Sequence, residues 1–360
     1  MADGSAPVLL LGSVRLRSVE DVMATASELI GRHLARLPDG EIAIEPWGPQ
    51  RGFVTQLRPV VTTNPALEPD PEEASLGHRR TLAVESHRDT RPPRYRLRAG
   101  VDPAALHIET TGLAETALKS YEIFRRLKST GKIPPAMRFQ VCLPTVAAFL
   151  NTHVMRDNHA VVEPEYRRAL FADLGRISAT VPHTELTIQW DVSTEMAQWE
   201  GVREAHFDNV REGVIDRLTT HCDQVPLPVE LGIHLCYGNF NLHHWREPES
   251  LANTVAVYNG LAARVARPIQ YVHMPVPIGR SDDAYFAPLD DLRLRPETTL
   301  YLGLMHEKDG IDGARKRIAA AKKHLARFGI ATECGFGERP AEVVSDLLRL
   351  HAQVAEDVLA

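Results

Sequence analysis

The chain carries His234-Leu235-Cys236 within the apolar run 229–236, and a second apolar run, 329–334, ends in Cys334 and continues as Gly335-Phe336-Gly337. Side chains two apart on a strand point the same way, so His234 and Cys236 project together while Leu235 faces the opposite side. An imidazole and a thiol on one face, joined by a thiol at the end of another strand, are donors that Zn²⁺ accepts. The glycines after Cys334 permit a tight turn and close backbone approach at that strand end. A lone His-x-Cys arises by chance, and a single buried Cys serves as a small apolar residue. The second thiol moves the reading to a metal site. Of the other cysteines, Cys142 lies between Val141 and Leu143 and is read as packing, while Cys222, between His221 and Asp223, is read as surface.

Short apolar runs alternate with helical periodicity along most of the chain: 7–11 then 19–36, 106–108 then 114–128, 137–143 then 146–150. The pattern continues with 186–190, 229–236 then 248–264, 269–273, 300–304 then 313–327, and 329–334 then 341–358. About eight strands alternating with helices predict an α/β fold, a parallel (β/α)₈ TIM barrel. A single domain over residues 1–360 suits that architecture, which places its chemistry at the C-terminal ends of the strands. Residues 38–100 interrupt the alternation and are read as an insertion or lid after the first βα unit. Arg79, Arg80, Arg88, Arg91, Arg94, Arg96 and Arg98 crowd its second half, balanced by Glu68, Asp70, Glu72, Glu73 and Glu85. They form a solvated face, or one or two of them clamp a substrate carboxylate or phosphate.

Composition narrows the classes. Hydrophobic residues make 44% and charged residues 24%, with no apolar run long enough to span a bilayer. Lys and Arg total 41 against 47 Asp and Glu, a net charge of −6, so neither nucleic acid nor a membrane is an expected partner. Four scattered cysteines do not make a disulfide scaffold, and Asp3 stands where a secretory signal would be basic. A reducing cytoplasm is the expected compartment.

The segment His234-Leu-Cys-Tyr-Gly-Asn-Phe240, with Cys334-Gly335 late in the chain, resembles the catalytic barrel of cobalamin-independent methionine synthase. In that family a His-x-Cys and a late Cys-Gly hold the zinc that activates homocysteine. Further segments match in order. Leu11-Gly-Ser13 is similar to the Gly-Ser that meets the amino-acid carboxylate, and His107-Ile-Glu109 to a His-Gly-Glu whose glutamate serves the amino acid. Ile188-Gln-Trp-Asp191 resembles a strand ending in the aspartate that binds the amino group, and Gly303-Leu-Met-His306 the segment with a proton-transferring histidine. The resemblance implies a zinc-dependent S-alkyl (methyl) transferase of methionine-biosynthesis type. Its partners would be a small thiol such as homocysteine and an alkyl donor: methyltetrahydrofolate, a small methylated compound or a carrier protein.

The chain also departs from that family. The family's fourth zinc ligand is a glutamate on the next strand, where this chain has Ile269-Gln-Tyr-Val-His273, so His273 is either a fourth ligand or a contact to the ligands or substrate. Glu333 ranks behind it, since it adjoins Cys334 and would point away on a strand. Val192-Ser193 follow Asp191 where the family has Glu-Pro. Ser13, Glu109, Asp191 and His306 also suit caps and loops; His243-His244 suit loop surface, and Tyr237 and Trp245 the packed rim. Two other functions fit the same pattern: a metal-free uroporphyrinogen decarboxylase-like lyase using the arginines, and a non-catalytic protein with a structural zinc.

Overall fold

The computed structural model describes residues 7–41, 56–75, 92–238 and 243–357. Seven parallel strands form one curled sheet: β1 (Arg36–Pro38), β4 (Arg138–Pro144), β5 (Leu186–Val192), β6 (Glu230–Leu235), β7 (Tyr271–Pro275), β8 (Thr299–Met305) and β9 (Gly329–Thr332). They lie side by side in that order, each parallel to its neighbours. Two further strands, β2 (Leu67–Pro69) and β3 (Tyr95–Leu97), pair antiparallel outside this sheet.

Residues 7–11 lie between the two edges of the curl. Val8 bridges Leu34 on one side and Ile330 on the other, and Leu9 N–H donates to Ile330 O at 3.0 Å. The eighth position expected of a barrel is thus held by isolated bridges, and the regular sheet is a seven-stranded half-barrel. The run 106–108 is not a strand. That rank belongs to β1, which follows the helix Val19–Ile30 after a single 3₁₀ turn, Gly31–His33. Residues 34–38 are short and almost wholly buried, so their apolar positions look like a continuation of the helix.

The helices bury one face each against the sheet. Val19–Ile30 starts where the Ser18 side chain accepts the Asp21 N–H at 3.0 Å, and buries Val19, Val22, Met23, Ala26 and Ile30 at helical spacing. Inside the curl a second, smaller apolar cluster joins Leu9, Leu11, Tyr271, Tyr301 and Ala331. Beneath the mouth the interior is polar and cross-linked by side-chain bonds. Gln189 donates to Leu11 O and accepts from Tyr271 Oη, and Gln140 donates to Leu10 O and to Gln189. Arg36 pairs with Glu230 at 3.1 Å and lies over the Tyr271 ring. This fixed floor supports the side chains at the C-terminal ends of the strands.

The segment expected as an insertion, residues 38–100, begins after β1, one strand later than the pattern suggests. Its described part holds the short helices Arg58–Thr62 and Pro71–Ser75 and the β2–β3 ribbon. Arg94 pairs with Glu73, and Arg96 and Arg98 with Glu68, so these three arginines are engaged within the segment itself. Arg79, Arg80, Arg88, Arg91 and Glu85 lie outside the described residues.

Candidate metal centre

β6 brings His234 and Cys236 to the inner face, both buried. Cys334 arrives differently: β9 ends at Thr332, and a bend at Glu333–Cys334 turns the sulfur inward. The bend packs on the first loop of the chain. Phe336 N–H donates to Ser13 O at 2.6 Å, Gly337 N–H donates to Ser13 Oγ at 3.3 Å, and a Cβ on Gly335 would lie 2.2 Å from Ser13 Oγ. Glycine there is therefore a requirement of close approach. Ser13 lies beside the metal-type cluster, occupied with holding this turn.

Cys236 Sγ and Cys334 Sγ are 3.6 Å apart, and Cys334 Sγ is 3.8 Å from His234 Nε2. All three donor atoms lie within 4.8 Å of one another, and they form the metal-type cluster found among the described residues. Tetrahedral zinc with Zn–S of about 2.3 Å and Zn–N of about 2.0–2.1 Å demands edges of roughly 3.6–3.8 Å, which the two contacts of Cys334 match, and the third edge lies within 4.8 Å. The protonation chemistry agrees. Contact with the Cys236 sulfur, together with burial, holds the Cys334 thiol well above its ordinary pKa. Two sulfurs this close ionise together only with a cation between them. Gly238 N–H donates to Cys236 Sγ at 3.3 Å, which helps to fix the position of that sulfur.

His273 is not in the cluster. It is the Cα partner of His234 across β6 and β7, and its Nδ1 lies 2.8 Å from His234 Nδ1 while its Nε2 donates to Thr332 O at 3.0 Å. Both ring nitrogens are engaged, so the structure places it behind His234. Burial, then the adjacent His234, hold its pKa well below the ordinary value.

Asp191 is the Cα partner of His234 on the other side, in β5, and its Oδ1 accepts from Gln189 Nε2 at 2.7 Å. Burial raises its pKa to about 6 against the pull of His234. Glu109 does not join the site: it is exposed, in a coil tied to the helix His159–Thr180 through Ile108–Glu165 and Thr110–Asp173 bonds. The glutamate at the mouth is Glu41, in Asp39-Gly40-Glu41 immediately after β1. Ser13 bridges Gly40, and a Cβ on Gly12 would lie 2.1 Å from Glu41 Oε1 and 3.0 Å from Cys142 Sγ.

His306, at the end of β8, donates from Nε2 to Val276 O at 2.9 Å, which leaves Nδ1 unprotonated and 3.8 Å from Glu333 Oε1. Burial, then Arg317, lowers its pKa to about 4. Glu333 also pairs with His244 Nε2 at 3.4 Å, and burial raises its own pKa. His244 is hence no loose surface residue: its side chain is 7% exposed. Cys222, expected at the surface, differs from expectation, whereas Cys142 is enclosed as expected. Cys222 is buried in the helix–sheet core, and Cys142 faces inward beside Asp191 and Glu41, where burial first and then those carboxylates raise its pKa.

No protein-family model matches the chain, and neither does any curated protein sequence. Solved structures do. A candidate vitamin-B12-independent methionine synthase from Listeria monocytogenes superposes with a TM-score of 0.57 at 13% identity, covering 98% of each chain. A B12-independent methionine synthase from Shewanella sp. W3-18-1, in complex with selenomethionine, gives 0.60 at 14% identity, covering 98% of this chain and 95% of that one. The fold is shared with these proteins. At such identity the likeness establishes the architecture, and function rests on the residues at the strand ends. No helix among the described residues is long and apolar enough to cross a membrane.

Proposed function

We propose that this chain is a zinc-dependent S-alkyl, in the simplest case methyl, transferase acting on a small thiol. The observation that carries the reading is the convergence of His234 Nε2, Cys236 Sγ and Cys334 Sγ within 4.8 Å of one another, with Cys334 at zinc-like spacing from both partners. Three protein donors leave a fourth position for an exchangeable ligand, the pattern of catalytic zinc, whereas structural zinc is closed by four. Bound there, zinc would supply a thiolate at neutral pH while leaving the sulfur nucleophilic.

The surrounding residues receive roles from their positions. Asp191 and Glu41, with Glu41 in place of Glu109, carry negative charge at the mouth and would orient an ammonium group of the thiol substrate. Ser13 would hold the Cys334 turn in register and offer its hydroxyl to a carboxylate. His306 Nδ1, 3.8 Å from Glu333 Oε1 in a buried position, would pass a proton during transfer without holding it, since its pKa is lowered to about 4. The alkyl donor is one of three kinds: methyltetrahydrofolate, a small methylated compound or a carrier protein.

Metal analysis with zinc-edge X-ray absorption, with and without homocysteine and other small thiols, tests the reading. Stoichiometric zinc and one added Zn–S bond on thiol addition are expected. A zinc-free purified protein whose activity survives Cys236→Ser and Cys334→Ser would refute it and favour a metal-free lyase.

A further inference from the structure

The ring contact behind His234 has directions that hydrogen bonding dictates. Thr332 O accepts only, so the 3.0 Å contact requires His273 to carry its proton on Nε2. Among the described residues no carboxylate bonds to the His273 ring, which is wholly buried, so a charged imidazolium there would be uncompensated. A neutral ring protonated on Nε2 has a lone pair on Nδ1. At 2.8 Å that lone pair must meet an N–H, so His234 carries a proton on Nδ1, and Nε2, facing Cys334 at 3.8 Å, is the nitrogen left to bind a metal. The opposite tautomer of His234 would set two lone pairs against each other. β6–β7 register enforces the meeting, since the two residues are Cα partners.

We propose that His273 is a positioning residue that fixes the tautomer and ring orientation of His234, making Nε2 the metal-binding atom, and that it is not itself a zinc ligand. The inference deepens the proposed function and rests on it for the identity of the metal. The chain Thr332 O, His273, His234 is an outer-sphere relay of the kind that raises ligand basicity and holds a metal-binding imidazole in place. It differs from a fourth protein ligand in a testable way, because it leaves the fourth coordination position to the substrate.

Two measurements test it. In protein labelled with ¹⁵N-histidine and stripped of metal, ring ¹⁵N shifts should show His234 protonated at Nδ1 and His273 at Nε2, assigned by loss of signals in the variants. The reversed pair would overturn the proposal whatever the metal content. Zinc affinity by chelator competition is then compared among wild type, His273→Leu, His273→Gln and Cys334→Ser. His273→Leu should weaken zinc roughly 10–100-fold with unchanged Zn–S and Zn–N counts, and His273→Gln, whose amide oxygen can accept the His234 proton, should recover most of it. A wild-type absorption spectrum with two imidazoles, or a His273→Gln loss equal to that of Cys334→Ser, would make His273 a ligand and overturn the inference. Correct tautomers in a protein that binds no zinc would keep the positioning role and reject only the metal reading.

Discussion

Cys236 Sγ and Cys334 Sγ stand 3.6 Å apart although 98 residues separate them in the chain. A cation between them keeps both sulfurs reduced and occupied; without one they are placed to bond. Metal-free protein treated with diamide should therefore form a Cys236–Cys334 disulfide, each thiol giving up one proton and one electron to the oxidant. Intact-mass and peptide mapping would show it, and prior loading with zinc should block it. Equal oxidation with and without zinc would argue against metal at these sulfurs. Cys222, buried in the helix–sheet core, should stay unmodified.

Gly12 has φ +120°, a conformation that is essentially glycine-only, and any Cβ there would run into Glu41 and Cys142. Gly12→Ala should cost roughly 1–3 kcal/mol of stability from backbone strain and displace the Glu41 carboxylate. Glu41→Gln should leave stability little changed while raising KM for amino-acid thiols more than for thiols without an ammonium group. Equal KM changes for both thiol classes would remove Glu41 from substrate recognition.

The segment bearing His306 is held from below by Arg317, which is 1% exposed. Its guanidinium pairs with Asp309 at 2.6 Å and donates to Leu304 O and Ile278 O, both at 2.9 Å. Arg317→Met removes all of these, leaving Asp309, partly exposed, free to rehydrate. A loss of roughly 2–4 kcal/mol in chemical denaturation is expected, somewhat below the cost of breaking a fully buried pair. A variant as stable as wild type would show that the Leu304–Asp309 turn holds itself.

His351, whose ring packs against Phe336 behind the Cys334 turn, provides a pH test. Its Nδ1 donates to Leu347 O at 2.7 Å, and burial lowers its pKa from 6.5 to about 4. Between those values the unfolded chain binds the proton and the folded one does not, so stability rises with pH across that window. The contribution is complete above about 6.5 and is lost as pH falls towards 4. Wild type should therefore lose more stability than His351→Leu on going from pH 6.5 to 5, by about 1–2 kcal/mol in urea titrations. Parallel pH profiles would mean that His351 is not buried neutral.

Much of the architecture was readable because it is locally encoded. Period-two alternation puts His234 and Cys236 on one face whatever the rest of the chain does, and strands near 137–143, 186–190, 229–236, 269–273, 300–304 and 329–334 stand close to where apolar runs mark them. Tertiary structure decided what depends on register, rank and bends. Cys334 reaches the cluster because the chain turns at Glu333, a bend whose inward direction is set by packing on Ser13. His273 sits behind His234 because strand register aligns their Cα atoms, and a carbonyl from a third strand uses its other nitrogen. Glu41 lies near Gly12 and Cys142 while Glu109 is exposed, a placement hidden because a buried three-residue strand carries no periodicity of its own and reads as the tail of the preceding helix. Residue types and local spacing specify which atoms can bind a metal; which of them meet is settled by contacts between segments far apart in the chain, and one sequence does not encode those as a local pattern.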